Sequence, residues 1–107
     1  MGPLQPERLA AQLKEGLHRL YGERLKGVFL YGSVARAEAG EGSDVDVLII
    51  LDRIERYAAE VDRTGELISG LSLEYGVSIS RVFVEERDWT QRSTPFLDRV
   101  RAEAVAL

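Results

Sequence analysis

Two short stretches decide how this chain folds: Tyr31-Gly32-Ser33-Val34-Ala35-Arg36 and Ser43-Asp44-Val45-Asp46-Val47. The residues that lead into the first stretch, 25–31, are apolar and β-prone enough to form a buried strand. Gly32 and Ser33 therefore fall where a strand ends and the chain turns into a short helix. Backbone amides at a helix start face an anion, glycine lets a phosphate come close, and a serine hydroxyl adds one more donor. The first stretch is thus predicted to be a phosphate-binding turn.

The second stretch places two carboxylates at the start of an apolar strand. Asp44 and Asp46 open the run from Val45 to Leu51, and the period of two in a strand puts both side chains on the same face. A turn or a strand cap would explain Asp44 alone, but Asp46 lies within the apolar run. A buried carboxylate without a partner is costly, so a bound metal is the better explanation. Two hard oxygen ligands side by side suit a magnesium ion that also holds substrate phosphates.

Together these residues resemble a known signature. A Gly-Ser turn, a variable stretch and Ser-Asp-x-Asp followed by aliphatic residues are similar to the pattern of the DNA polymerase β-like nucleotidyltransferase superfamily, in its smallest form, the minimal nucleotidyltransferase domain. The resemblance covers about the first half of the chain. It implies an α/β (α+β) fold, with a small mixed β-sheet of at least three strands and helices packed against it.

The same resemblance implies a reaction. A nucleoside monophosphate, AMP from ATP, would move to an acceptor hydroxyl with the help of Mg²⁺. Asp44 and Asp46 would be the catalytic metal ligands, and Gly32 and Ser33 would hold the phosphates.

Arg36 is a further candidate for nucleotide binding, because it follows the turn and could take a phosphate. The segment from Ala37 to Val47 carries acids and no base, so it would repel a free triphosphate and favour a magnesium complex. The alternative is that Arg36 only forms an ion pair in solvent with Glu38 or Glu41, and this alternative fits the sequence equally well.

The third strand departs from the family pattern. Active members of the superfamily usually carry a third carboxylate beside the paired aspartates, and the candidate positions here hold Ser78 and Ser80. Two aspartates are enough for the ion that accompanies the nucleotide, but a two-metal reaction needs ligands for a second ion. Ala37 also stands where the family often has glycine. Acids that would serve as a displaced third ligand are Glu38, Glu85, Glu86 and Asp88.

Length and composition exclude several classes of protein and of functional site. We expect a single domain over residues 1–107, with one core. The chain has no cysteine, and its one histidine is His18, which excludes disulfide scaffolds, thiol nucleophiles and histidine-rich metal sites. Without an apolar run of membrane-spanning length or a signal peptide, the sequence predicts a cytoplasmic protein. The net charge of −4 makes nucleic acid an improbable partner.

Hydrophobic periodicity predicts the other elements. A first helix follows Pro6 and stops at Gly22, with an apolar face of Leu9, Leu13, Leu17 and Leu20. A long helix ends near Gly76, and its apolar face is Tyr57, Val61, Ile68, Leu71 and Tyr75. Its charged face, predicted to be solvated, is Arg53, Arg56, Glu60, Arg63 and Glu66. Residues 77–84 alternate like a third strand, and the last helix starts at Thr94 with Leu97, Val100, Ala104 and Leu107 inward.

Two functions fit this sequence. The first is the enzyme described above. The second is a binding module that keeps nucleotide binding, metal binding or only the fold, and acts by docking to another protein. Minimal domains of this kind resemble the antitoxin half of two-protein modules whose partner is a helical HEPN-type ribonuclease.

In either case a chain of 107 residues leaves no room for an extra domain that presents the acceptor. We therefore expect a second copy or a partner protein to complete the site, as a homo- or hetero-oligomer. A group of late apolar residues either forms an exposed interface patch or enters the core, and its members are Phe83, Val84, Trp89, Phe96 and Leu97.

Overall fold

The computed structural model of the protein describes residues 6–32 and 44–107. In chain order the elements are α1 (Pro6–Tyr21), a 3₁₀ turn (Gly22–Arg24), β1 (Leu25–Tyr31), β2 (Asp44–Leu51), α2 (Tyr57–Tyr75), β3 (Ser78–Glu85), α3 (Glu86–Gln91), α4 (Pro95–Glu103) and β4 (Val105–Ala106). The three predicted strands correspond to β1, β2 and β3, and their ends differ by one residue at most.

The strands form one mixed sheet in the order β3-β2-β1-β4. β1 pairs with β2 and with β4 in antiparallel fashion, whereas β2 and β3 are parallel. A parallel pair needs a crossover connection, and α2 provides it between β2 and β3. This mixed sheet with helices packed against it confirms the predicted fold class.

β2 lies inside the sheet and is covered on both faces. α1 and α2 pack on one face, where Val45, Val47 and Ile49 belong to the larger core cluster. On the other face, Leu48 and Ile50 form a second cluster with Val100 of α4. Residues 47–51 are at most 2% exposed because successive side chains point to opposite, covered layers.

Local capping sets the ends of two helices. α2 ends where Gly76 adopts a left-handed conformation with φ of 65°. The amide of Val77 then donates to the carbonyl oxygen of Ser72 at 3.1 Å. α4 begins after Thr94, whose hydroxyl oxygen accepts a hydrogen bond from the amide of Leu97 at 3.1 Å. Both boundaries agree with the sequence predictions.

The end of the last helix differs from the prediction. α4 stops at Glu103, and Val105–Ala106 pair with β1 as the short strand β4. The amide of Leu107 donates to the carbonyl oxygen of Val28 at 2.9 Å, and its side chain packs on the larger core cluster. A strand of two residues has no periodicity by which a sequence reveals it.

α1 follows its prediction apart from its last turn. Leu9, Leu13 and Leu17 are fully buried, whereas Leu20 is 39% exposed because it lies at the edge of the packed face. None of the helices within residues 6–32 and 44–107 has both the length and the apolar character that crossing a membrane requires.

Glu60 was predicted to lie on the solvated face of α2, and this prediction is wrong. The residue is 4% exposed, and the hydroxyl of Tyr21 donates to its Oε1 at 2.9 Å. Arg24 donates to Oε2 at 3.2 Å. Burial, and then the hydrogen bond to Glu60, raise the pKa of Tyr21. The carboxylate can be buried because α1 and the 3₁₀ turn supply partners that the helix period of α2 does not reveal.

Of the two alternatives for the late apolar residues, the structure favours the core, since none of the five is exposed. Phe83 and Leu97 are 4% and 5% exposed. Trp89 packs on Phe29 with ring centroids 5.1 Å apart, and Phe96 and Val84 join the second core cluster. Phe83 belongs to the larger core cluster on the first face, whereas α3 and α4 bring Trp89 and Phe96 to the second face.

The cap at Gly76 leads to a stability test on two glycines of one helix. Gly70→Ala should stabilise the protein by about 0.5–1 kcal/mol, since an added Cβ meets no atom within 4 Å and alanine is the better helix former. Gly76→Ala should destabilise it by about 1–2 kcal/mol, because φ is 65° there. Urea unfolding measures both. A stable Gly76→Ala variant would contradict the left-handed cap.

Candidate functional site

Asp44 and Asp46 lie at the beginning of β2, on the same face as Leu48 and Ile50. Asp44 is exposed and Asp46 is half-buried. Tyr31, the last residue of β1, is the direct pairing partner of Asp46. The antiparallel pairing therefore brings the end of β1 and the two carboxylates to one edge of the sheet.

Gly32 lies directly against one of these carboxylates. Its φ is 75°, a left-handed conformation that favours glycine. A Cβ built on Gly32 would stand only 2.5 Å from Asp46 Oδ2, so a side chain there would require the carboxylate to move. The structure thus brings together two residues that the sequence predicted separately, the glycine of the turn and an aspartate of the strand.

Two other predicted site residues, Ser33 and Arg36, lie outside the described residues, as do Ala37, Glu38 and Glu41. Their predicted roles toward phosphate stay predictions.

The electrostatics of the carboxylate pair favour a cation. Partial burial, and then the negative charge of Asp44, raise the pKa of Asp46. A bound divalent ion would relieve both effects, because it replaces lost hydration and neutralises the like charges. Two adjacent carboxylates are a donor set that a hard cation such as Mg²⁺ accepts, with phosphates and water completing its shell. The residues present therefore fit one such ion.

β3 places hydroxyl side chains beside the two aspartates. In the parallel register Asp44 pairs with Ser78, and Asp46 pairs with Ser80. Within residues 6–32 and 44–107 there is no group of three or more acidic, histidine or cysteine side chains that could hold a metal.

The acids that follow β3 do not supply the missing carboxylate. Glu85 lies at the far end of β3, paired with Leu51, and its Oε1 accepts a hydrogen bond from the amide of Ile54 at 2.9 Å. Glu86 and Asp88 come after it, in α3. Glu85 is thus separated from Asp44 by the length of the strand.

Two residues that the sequence does not single out are linked to the carboxylates: Tyr31 pairs with Asp46, and the charge of Arg99 acts on Tyr31. The ring of Tyr31 meets Phe96 of α4 edge to face, with centroids 5.9 Å apart. Burial and the charge of Asp46 raise the pKa of Tyr31, and the charge of Arg99 opposes this shift. The pairing of Tyr31 with Asp46 follows from the sequence once the two predicted strands are aligned as an antiparallel pair.

A second polar site lies at the opposite end of the sheet. This arginine cavity has a volume of about 370 Å³, and the basic residues that line it are Arg24, Arg53, Arg56 and Arg63. Three of these arginines pair with acids of the same wall: Arg24 with Asp52 and Glu60, Arg53 with Glu55, and Arg63 with Glu60. Since these charges are largely matched within the chain, the arginine cavity is not the candidate site.

Comparison with known sequences identifies one family. A family model described as a nucleotidyltransferase domain matches residues 10–101. A protein of Methanocaldococcus jannaschii, named as a candidate protein adenylyltransferase, is 38% identical over 78 aligned residues, which cover 68% of this chain and 50% of that protein. This chain therefore spans about half the length of that relative.

Solved structures share the fold. A chain in the structure of the tri-AMPylated Shewanella oneidensis HEPN toxin in complex with MNT antitoxin aligns with a TM-score of 0.64 at 14% identity, over 95% of this chain and 71% of that chain. A candidate minimal nucleotidyltransferase aligns with a TM-score of 0.58 at 29% identity, over 94% of this chain and 90% of that chain.

The contact between Gly32 and Asp46 can be measured as a coupling. Gly32→Ala should destabilise the protein by at least about 1–2 kcal/mol, the cost of a left-handed alanine, plus the collision with the carboxylate. Asp46→Ala should relieve the collision but not the backbone strain. The double variant should then be more stable than the sum of the single effects predicts. Urea unfolding of the four proteins gives the coupling free energy, and a value below about 0.3 kcal/mol would show that the two residues do not touch.

Proposed function

This chain belongs to the nucleotidyltransferase domain family, and we propose that it transfers AMP from ATP to an acceptor hydroxyl. In this reaction the acceptor oxygen forms a bond to the α-phosphorus, and the bond from that phosphorus to the bridging oxygen breaks. Pyrophosphate leaves with the electron pair, and the hydroxyl proton is released to water. Such a reaction depends mainly on positioning and on neutralising charge, which a small rigid site can provide.

One observation carries this proposal: the backbone turn at Gly32 lies against the Asp46 carboxylate, and Asp44 shares its face. A phosphate that approaches the turn therefore comes close to two carboxylates. Such an approach is favourable only when a cation lies between the negative groups.

Asp44 and Asp46 would hold that cation, which we propose to be Mg²⁺. When bound, the ion supplies positive charge to the phosphates and to the leaving pyrophosphate. Gly32 allows the Asp46 carboxylate to lie against the turn that would take the phosphates, and Ser33 and Arg36 are the proposed further contacts. Tyr31 and Phe96 form an aromatic wall on the α4 side of the carboxylates.

For the acceptor we propose a hydroxyl on a partner protein of the helical HEPN type. The support is the structural similarity to the complex of a tri-AMPylated HEPN toxin with an MNT antitoxin. The relative named as a candidate protein adenylyltransferase agrees with a protein acceptor.

A second candidate function is a nucleotide-binding module that acts by docking to such a partner without transfer. One feature favours it. Ser78 and Ser80 pair with the two aspartates, so β3 brings no third carboxylate for a second ion.

Nucleotide binding should depend on a divalent ion. ATP should bind with Mg²⁺ and lose its affinity in EDTA, because the two carboxylates repel a free triphosphate. Asp44→Asn and Asp46→Asn should each weaken binding roughly tenfold or more, the effect of losing one charge-assisted contact. Asp62→Asn is the matched control, since Asp62 is an exposed acid on α2. Calorimetry decides the matter, and equal binding in EDTA would rule out the metal role.

Transfer and docking can be separated with ATP labelled on the α-phosphate. The purified chain is incubated with the label and with a HEPN-type protein encoded beside it, and the proteins are resolved by electrophoresis. We expect label on the HEPN-type protein with the wild-type chain and none with Asp46→Asn. A complex that binds ATP and forms without any label would contradict transfer and support the binding module.

A further inference from the structure

α4, which contacts Tyr31 through the ring of Phe96, also carries Arg99. The ring of Phe96 contacts that of Tyr31 edge to face, with an interplanar angle of 82°. Tyr31 in turn pairs with Asp46. Arg99 follows Phe96 by three residues, so both side chains lie on the same side of α4. The contact between two aromatic rings thus connects the position of Arg99 to that of the carboxylates.

The backbone of α4 is firmly placed around Arg99. Leu97 and Val100, on its buried face, are 5% and 0% exposed. Arg101 anchors the helix to the preceding segment, because its guanidinium donates to the carbonyl oxygens of Trp89 and Arg92, at 3.2 Å and 2.7 Å. The helix therefore fixes the backbone position of Arg99. The side chain of Arg99 is exposed and can reach a ligand.

The charge of Arg99 is available to such a ligand. Its effect on the Tyr31 hydroxyl opposes that of Asp46, so both charged groups lie close enough to act on the same atom. Among the residues that the structure describes, none forms a hydrogen bond or an ion pair with the Arg99 guanidinium. Arg101, two residues away, is by contrast bonded to several carbonyl oxygens and to Asp98.

We propose that Arg99 binds the β- and γ-phosphates of the nucleotide whose metal ion is held by Asp44 and Asp46. This inference rests on the proposed function. A guanidinium keeps its charge at all relevant pH values, and its planar set of donors matches two phosphate oxygens at once. The α-phosphate has to stay at the carboxylates and open to the acceptor. The outer phosphates, which gain negative charge as pyrophosphate leaves, are therefore the contact that Arg99 serves.

The test compares nucleotides that differ in these phosphates. Calorimetry with Mg²⁺ is carried out for ATP and AMP on the wild-type chain, Arg99→Ala and Arg99→Lys, with Arg87→Ala as the matched control on α3, where Arg87 is exposed. Arg99→Ala should weaken ATP binding roughly tenfold or more and AMP binding less than twofold. Arg99→Lys should recover part of the loss, because it keeps the charge but not the planar donor set. Arg87→Ala should bind as the wild-type chain does.

Two results would overturn the inference. One is an unchanged ATP affinity in Arg99→Ala, and the other is an equal loss for ATP and AMP, which would indicate a general disturbance of α4.

Magnesium tripolyphosphate separates this inference from the proposed function. A wild-type chain that binds tripolyphosphate but not ATP would overturn the proposed function, and a loss of tripolyphosphate binding in Arg99→Ala would still support Arg99 as a phosphate ligand. A wild-type chain that binds neither compound would overturn both.

Discussion

The antiparallel register between β1 and β2 determines where the candidate site forms. It pairs Tyr31 with Asp46, so the next residue, Gly32, turns directly beside the Asp46 carboxylate. A shift of one residue would move Asp46 to the opposite face, into the apolar layer under α1 and α2. Residues 47–51 prevent such a shift, because their side chains fill two covered layers. The packing of the core and the geometry of the site thus depend on the same pairing.

The site is maintained at a cost to the stability of the metal-free protein. Burial and the charge of Asp44 raise the pKa of Asp46 in the folded state above its unfolded value. Between these two values the folded state binds more protons than the unfolded state, so the free energy of unfolding falls as pH rises through that window. An aliphatic residue at position 46 would continue the face of Leu48 and Ile50. A charged residue there is a local conflict with folding, and such conflicts are expected at functional sites.

Local pattern was sufficient for much of this architecture. The strands β1, β2 and β3, the cap at Gly76 and the start of α4 follow from periodicity and from turn chemistry within a few residues. Asp44 and Asp46 could be placed on one face for the same reason. The family resemblance rested on these residues and is confirmed by the match over residues 10–101.

Features that depend on distant packing could not be read from local pattern. Glu60 is buried because Tyr21 and Arg24, more than thirty residues earlier, supply its partners. Arg99 acts on Tyr31 only because α4 packs on β1 through the rings of Phe96 and Tyr31. Each of these placements depends on which helix covers which face of the sheet. Amphipathic patterns do not contain that information.

Diffraction from crystals grown with Mn²⁺ and a nonhydrolysable ATP analogue tests the central claim most directly. Manganese scatters anomalously and accepts the same oxygen ligands as magnesium. The account predicts an anomalous peak from a manganese ion that is coordinated by the carboxylates of Asp44 and Asp46. The phosphates should lie between this ion and the turn at Gly32. An ion and phosphates that avoid both aspartates and occupy the arginine cavity at the other end of the sheet would contradict it.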